Sequence, residues 1–223
     1  MTQNNSIILE ALRWRYSVKK FDPTKKIKDE DLKTLQQALI LTASSLGLQP
    51  WKFIFVKNQN LRAQLVEHSF GQKQVAEASD LLVIAAKKNM DEAYVEAYLK
   101  RSSIERKTDA MAISLGKGVT SYNVEDYKRV TMGFIKNFGD NILAWNQKQC
   151  YIALGNLLTV AAFLKIDTLP MEGFVPEKYN EILEIPQDYT ATLVVPLGYR
   201  SEEDKNSKYN KVRFSEEELI IVK

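Results

Sequence analysis

At 223 residues, 45% hydrophobic and 26% charged, the chain is long enough for one large core and has an ordinary globular composition. A formal net charge of +3 without a block of like charges excludes the clustered basic surface of a nucleic-acid binder and suits an anionic small ligand. A single cysteine, Cys150, and a single histidine, His68, exclude an internal disulfide framework and a zinc site of the usual Cys/His kind.

Ile7, Ile8, Ala11, Leu12 and Trp14 fall near one broad face, which predicts a helix over 6–14. The basic run 13–20 ends it, and Phe21-Asp22-Pro23 breaks regular structure, because proline disfavours helix at the preceding residue. A second helix starts near Asp29 and keeps its spacing through Leu32, Leu35, Leu39 and Thr42. Ser44-Ser45-Leu46-Gly47 reads as a loop, and a strand follows at 53–56. Another helix is predicted over 61–68, then a strand at 81–86 whose continuous apolar run implies burial on both faces. Residues 91–138, which include Gly116-Lys117-Gly118, read as helices with mobile joints. The stretch 145–164 is a helix apolar nearly all round, marking core or subunit interface. Further strands are expected at 192–195 and, as an edge, at 219–222.

No repeat or linker divides the chain, so 1–223 is expected to be one α+β domain, a three-layer sandwich on one central sheet. The start Met1–Asn5 lacks a signal-peptide pattern, and the apolar stretch 150–164 falls short of the roughly 20 residues that span a bilayer. The expectation is a cytoplasmic protein without a membrane or nucleic-acid partner.

Three segments offer chemistry. Arg15 and Lys19, with Ser17 between them, and Lys211 and Arg213 supply cations in loop-like sequence, as phosphate recognition requires. Taken singly, such residues are more often solvated surface charge. Pro170-Met171-Glu172-Gly173-Phe174 could aim a backbone N–H at a ligand, or be an ordinary turn. The stretch 42–51 gathers hydroxyls, an amide and an indole that could line a polar pocket, or join a helix to a strand. Neither glycine-rich phosphate fingerprint is present. Cys150 reads as inert core, His68 as a surface or helix-end residue and Glu202-Glu203 as solvated charge.

Together the segments become specific. Arg15-Tyr16-Ser17-Val18-Lys19-Lys20-Phe21 resembles the R-x-S-x-R/K-x-F motif of the nitroreductase family. Ser44-Ser45-Leu46-Gly47-Leu48-Gln49-Pro50-Trp51-Lys52-Phe53 resembles its S-S-x-x-x-Q-P-W-x-F segment, Pro170–Phe174 its P-x-E-G-F/Y segment, and Lys211-Val212-Arg213 its closing K-x-R. Order and spacing agree from about residue 7 to 214, most closely with the oxygen-insensitive NAD(P)H nitroreductase and dihydropteridine reductase branch. The resemblance implies a mainly antiparallel central sheet flanked by helices, an intertwined homodimer, and two FMN molecules in clefts between the subunits.

Carried over by motif, Arg15, Lys211 and Arg213 would bind the FMN phosphate, with Ser17 and Tyr16 nearby. Lys19 would approach the flavin pyrimidine edge, where fixed positive charge stabilises the reduced ring. Glu172 and Gly173 would offer backbone N–H groups to the hydride-accepting nitrogen, and Pro170 would pack against the ring. Gln149 matches a family glutamine near the ribityl or phosphate end, and Ser44 and Ser45 would reach the partner's flavin. Gly71 stands where close relatives often have asparagine, Gln74 where they have lysine (with Lys73 adjacent), and Tyr16 where histidine is common. Leu46 replaces a more polar residue near the nicotinamide pocket, while Tyr127, Phe134 and Phe138 are candidates for stacking on substrate. The expected activity is ping-pong hydride transfer from NADH or NADPH to nitroaromatics, quinones, pteridines or flavins. A flavin storage or sensor protein, and a flavoprotein with fragmentation or dehalogenation chemistry, are the alternatives.

Overall fold

The computed structural model of the chain describes residues 3–106, 113–114, 121–122 and 124–223. In chain order the elements are α1 (Gln3–Trp14), α2 (Asp29–Ile40), β1 (Trp51–Phe55), α3 (Gln59–Leu65), α4 (Gln74–Glu77), β2 (Asp80–Lys87) and α5 (Glu92–Arg106). Then come β3 (Ile113–Ser114), β4 (Ser121–Tyr122), α6 (Val124–Lys136), α7 (Ile142–Phe163), β5 (Asp167–Thr168), α8 (Pro176–Ile182), β6 (Tyr189–Gly198) and α9 (Glu216–Leu219). The glycine joint expected at 116–118 lies outside the described residues.

Four strands form one antiparallel sheet in the order β1-β2-β6-β5. The whole of β2 is buried, and its side chains divide by parity: Leu81, Val83 and Ala85 face one core, Leu82, Ile84 and Ala86 the other. Strand alternation thus explains why an unbroken apolar run sits at the centre. One core is closed by Leu65, Val75 and Tyr179 from α3, α4 and α8. The opposite core is closed by Leu35 and Leu39 of α2 and by Ala153, Leu157 and Ala161 of α7. The result is the α+β three-layer sandwich.

Local signals set the element ends. Asp29, Glu30 and Asp31 fill the first turn of α2, where the helix dipole favours negative charge. The Asn58 side chain accepts from the Asn60 and Leu61 N–H groups, so α3 starts earlier than its apolar spacing predicts. Helix α8, absent from the sequence reading, opens with Pro176 in its first turn, a recognised start signal. Strand β6 runs beyond 192–195 and through Pro196, whose carbonyl accepts the Leu169 N–H at 3.1 Å.

The edge strand expected at 219–222 does not form. Ser215 and Glu218 make a reciprocal capping box that starts α9 instead. Ile220, Ile221 and Val222 follow as exposed coil, paired with no described strand. Among the described residues no helix is long and apolar enough to cross a membrane.

Candidate active site

The first and last sequence motifs meet in one cleft of about 350 Å³, lined among others by Arg13, Arg15, Ser17, Arg200, Lys211 and Arg213. Among the described residues no carboxylate lines it. Lys211 Nζ donates to the Leu12 and Arg15 carbonyls, at 2.6 Å each, at the C-terminal end of α1 where a cation is favoured. Burial and the nearby Arg213 guanidinium pull the Arg15 pKa down. Burial, then Arg15 and Arg213, lower that of Lys211. The cleft is therefore a cluster of mutually repelling positive charges that an anion would relieve. Arg200 is different: Asp167 holds its guanidinium at 2.6 Å, and it stacks on Trp14 and Tyr16 at 4.3 and 4.4 Å from the ring centroids.

Asp204, which the sequence reading passed over beside Glu202-Glu203, fixes this geometry. Its buried carboxylate accepts from the Lys19 N–H at 2.8 Å, the Lys20 N–H at 3.2 Å, the Tyr16 hydroxyl at 3.1 Å and the Asn206 N–H at 3.0 Å. It joins the N-terminal motif to the chain that leads to Lys211. On the other side Ser17 bridges Thr168, and the Val18 N–H donates to the Thr168 carbonyl at 3.3 Å. Glu203 pairs with Lys20 at the surface and is exposed, as solvated charge is expected to be.

The third motif sits beside this frame. Met171 N–H bonds the Val194 carbonyl at 2.8 Å, which carries Pro170, Glu172 and Gly173 along the sheet. Phe70 and Gly71 turn left-handed (φ 53° and 74°) and bring Gln72 Nε2 to the Gly173 carbonyl at 3.2 Å. A Cβ on Gly173 would meet that amide at 3.3 Å and the Phe70 ring at 3.7 Å, so a side chain there would crowd the Gln72 amide. Gly71 and Gly173, 102 residues apart, thus belong to one corner. Gln74 Nε2 donates to the Lys19 carbonyl at 2.8 Å, leaving its buried Oε1 without a partner. Burial, assisted by a hydrogen bond with Glu172, pushes the Tyr151 hydroxyl up to about 12.

The serine segment lies elsewhere in the chain. Ser44, Ser45, Leu46, Phe134 and Phe138 do not line the cation cleft. Neither does Gln149, whose buried Oε1 accepts the Ser45 N–H at 2.9 Å while its Nε2 donates to the Trp145 carbonyl. Within one chain the Gln149 amide thus holds the serine loop. Leu46 packs with an aromatic trio in which Phe134, Phe138 and Trp145 have centroids 5.1, 5.6 and 5.3 Å apart. Leu46 and Gln49 have φ of 55° and 50°, a region that costs an L-residue roughly 1–2 kcal/mol. Cys150 is buried, and burial pushes its thiol up to about 12.

The antiparallel three-layer frame, with its cation-lined cleft and its glycine corner, defines an α+β sandwich of one class. Comparison narrows that class. The model of the nitroreductase family matches residues 12–199. A Staphylococcus epidermidis protein whose name assigns it to the NAD(P)H nitroreductases is 36% identical over 99% of this chain and 98% of its own length. Among solved structures, a nitroreductase-like protein of Streptococcus mutans superposes with TM-score 0.76 at 22% identity, covering 99% of each chain. An Exiguobacterium sibiricum protein solved in complex with FMN gives 0.75 at 18% identity, covering 97% of each. The chain belongs to the nitroreductase family, a family of oxidoreductases.

Proposed function

We propose that the protein is an FMN-dependent oxidoreductase that takes hydride from NADH or NADPH and delivers it to small electron-poor acceptors. The observation that carries this reading is the cleft of Arg15, Lys211 and Arg213, which no carboxylate lines among the described residues. Its donors fit a phosphate dianion: two guanidinium forks, one ammonium and the Ser17 hydroxyl. When bound, FMN supplies hydride transfer, two electrons in from the nicotinamide and two out to the acceptor.

The chain's own residues bind and orient. Lys19, held through its backbone by Asp204, would place a cation at the pyrimidine edge. Backbone N–H groups of Glu172 and Gly173 would face the hydride-accepting atom, with Pro170 beside the ring. Gly71 would pack at the same corner. No side chain is required as nucleophile. Donor and acceptor would use one face in turn, so we assign ping-pong kinetics, with nitroaromatics, quinones, pteridines and flavins as acceptors.

The second half of the site would come from a second copy. Ile7, Ile8 and Leu12 of α1, Ile152 and Phe163 of α7, and Val212, Phe214, Ile221 and Val222 of the tail are all exposed. Apolar surface on three segments supports an intertwined homodimer, in which Ser44 and Ser45 would meet the partner's flavin and Leu46, Phe134 and Phe138 the substrate. Free Cys150 supports a cytoplasmic location.

Arg15→Ala and Arg213→Ala should each weaken FMN binding about 10- to 100-fold, the range for a lost charged hydrogen bond. Fluorescence titration of the stripped protein checks this. Full affinity in both variants would remove the phosphate assignment.

A further inference from the structure

Between Leu46 and Gln49 the backbone turns left-handed three times, at φ 55° (Leu46), 69° (Gly47) and 50° (Gln49). Only the glycine adopts that region freely. Such a backbone persists only where its surroundings over-determine it. Inside the loop the Gly47 N–H reaches the Ser44 carbonyl at 2.9 Å, and the Gln49 N–H reaches Ser44 Oγ at 2.9 Å. From outside, tyrosines close over it. Tyr94 Oη shares its one proton between the Leu48 and Gln49 carbonyls, at 2.8 and 2.9 Å, and Tyr127 Oη donates to the Leu46 carbonyl at 3.2 Å. Tyr98, one turn beyond Tyr94, lies so close that a Cβ on Gly47 would sit 2.5 Å from its hydroxyl. Every one of these rings belongs to α5 or α6.

We propose that Tyr94 and Tyr127 are positioning residues, whose hydroxyls latch the strained 46–49 backbone in the conformation that presents Ser44, Ser45 and Leu46 to the flavin site of the neighbouring subunit. The inference rests on the flavin reading given above. It assigns α5 and α6, which add nothing to the cation cleft, control over flavin affinity from a distance. Burial raises the Tyr94 pKa, keeping the hydroxyl a donor across the working pH range.

Tyr94→Phe and Tyr127→Phe keep each ring and remove the hydroxyl. Hydrogen exchange across 44–49 in FMN-free protein and the FMN dissociation constant are measured together. Each variant should speed exchange of the Gly47 and Gln49 amides and weaken FMN by about 3- to 10-fold, the scale of one lost hydrogen bond. Adding Gln49→Gly, which takes φ 50° without a Cβ clash, should return the affinity of Tyr94→Phe toward wild type. Unchanged exchange overturns the latch, and so does a lower melting temperature with unmoved FMN affinity, the mark of a merely structural role. If wild-type protein takes up no FMN, the flavin reading falls, and exchange at 44–49 alone upholds or overturns the latch.

Discussion

Ser17 to Lys20 sit on backbone tied to the sheet and to Asp204, and the Lys211 ammonium is anchored on the Leu12 and Arg15 carbonyls, whereas Ser44–Gln49 sits on backbone held by side chains of α5, α6 and α7. The first region is charged, and of its lining cations only Arg200 is shown paired with a carboxylate, that of Asp167; the second is aromatic and locally strained. A fixed array of cations suits a feature every FMN presents, its phosphate. A loop held by tyrosines can change what lies over the ring without disturbing the anchor. Most of the affinity is thus assigned to the cleft, and selectivity, with a smaller share of the affinity, to the loop.

Perturbing the frame should have the largest effect. Arg62 is 2% exposed and donates to the Val75, Ala78 and Ser79 carbonyls between α3 and β2. Arg62→Leu would leave these acceptors unpaired, at about 1–3 kcal/mol each. A total loss of about 3–5 kcal/mol is expected, read as a lower urea midpoint at constant slope. A loss under about 1 kcal/mol would show that the frame does not depend on it.

Asp204→Asn tests the frame at the cleft itself. Burial pushes the Asp204 carboxyl up, but N–H groups of Lys19, Asn206 and Lys20 and the Tyr16 hydroxyl outweigh it, so its pKa is lowered. A folded-state pKa below the unfolded value, about 3.9, gives stability that is present above that pH. This stability is lost as pH falls through the folded-state value. The variant should lose this acid limb of the stability profile. It should also bind FMN about 5-fold more weakly at neutral pH. Phe134→Leu should do the reverse and least: acceptor KM shifts about 2- to 5-fold while the FMN dissociation constant stays within about twofold. A Phe134 variant that loses FMN as Asp204→Asn does would erase the division.

What was legible in the sequence followed local rules. The buried strand declared itself at 81–86 through its unbroken apolar run, and three of the four motifs named residues that the fold brings to the cleft and the glycine corner. What was not legible depended on partners far along the chain. Asp204 looks like one more acid after Glu202-Glu203 until Lys19 and Tyr16 meet it. Arg62 reads as a surface helix cation until the Val75–Ser79 carbonyls surround it. The tail's apolar residues 219–222 looked like a strand, because nothing in their alternation reveals that Ser215 caps a helix just before them. Gln149 matched a family position, yet only the fold shows its amide committed to Ser45.

The central claim, a flavin that accepts hydride, is tested most directly by the absorption spectrum of the purified protein before and after anaerobic NADH and NADPH. A yellow protein whose band near about 450 nm bleaches is the expected result, and the faster donor identifies the reductant. A colourless protein that takes up no added FMN would contradict the account.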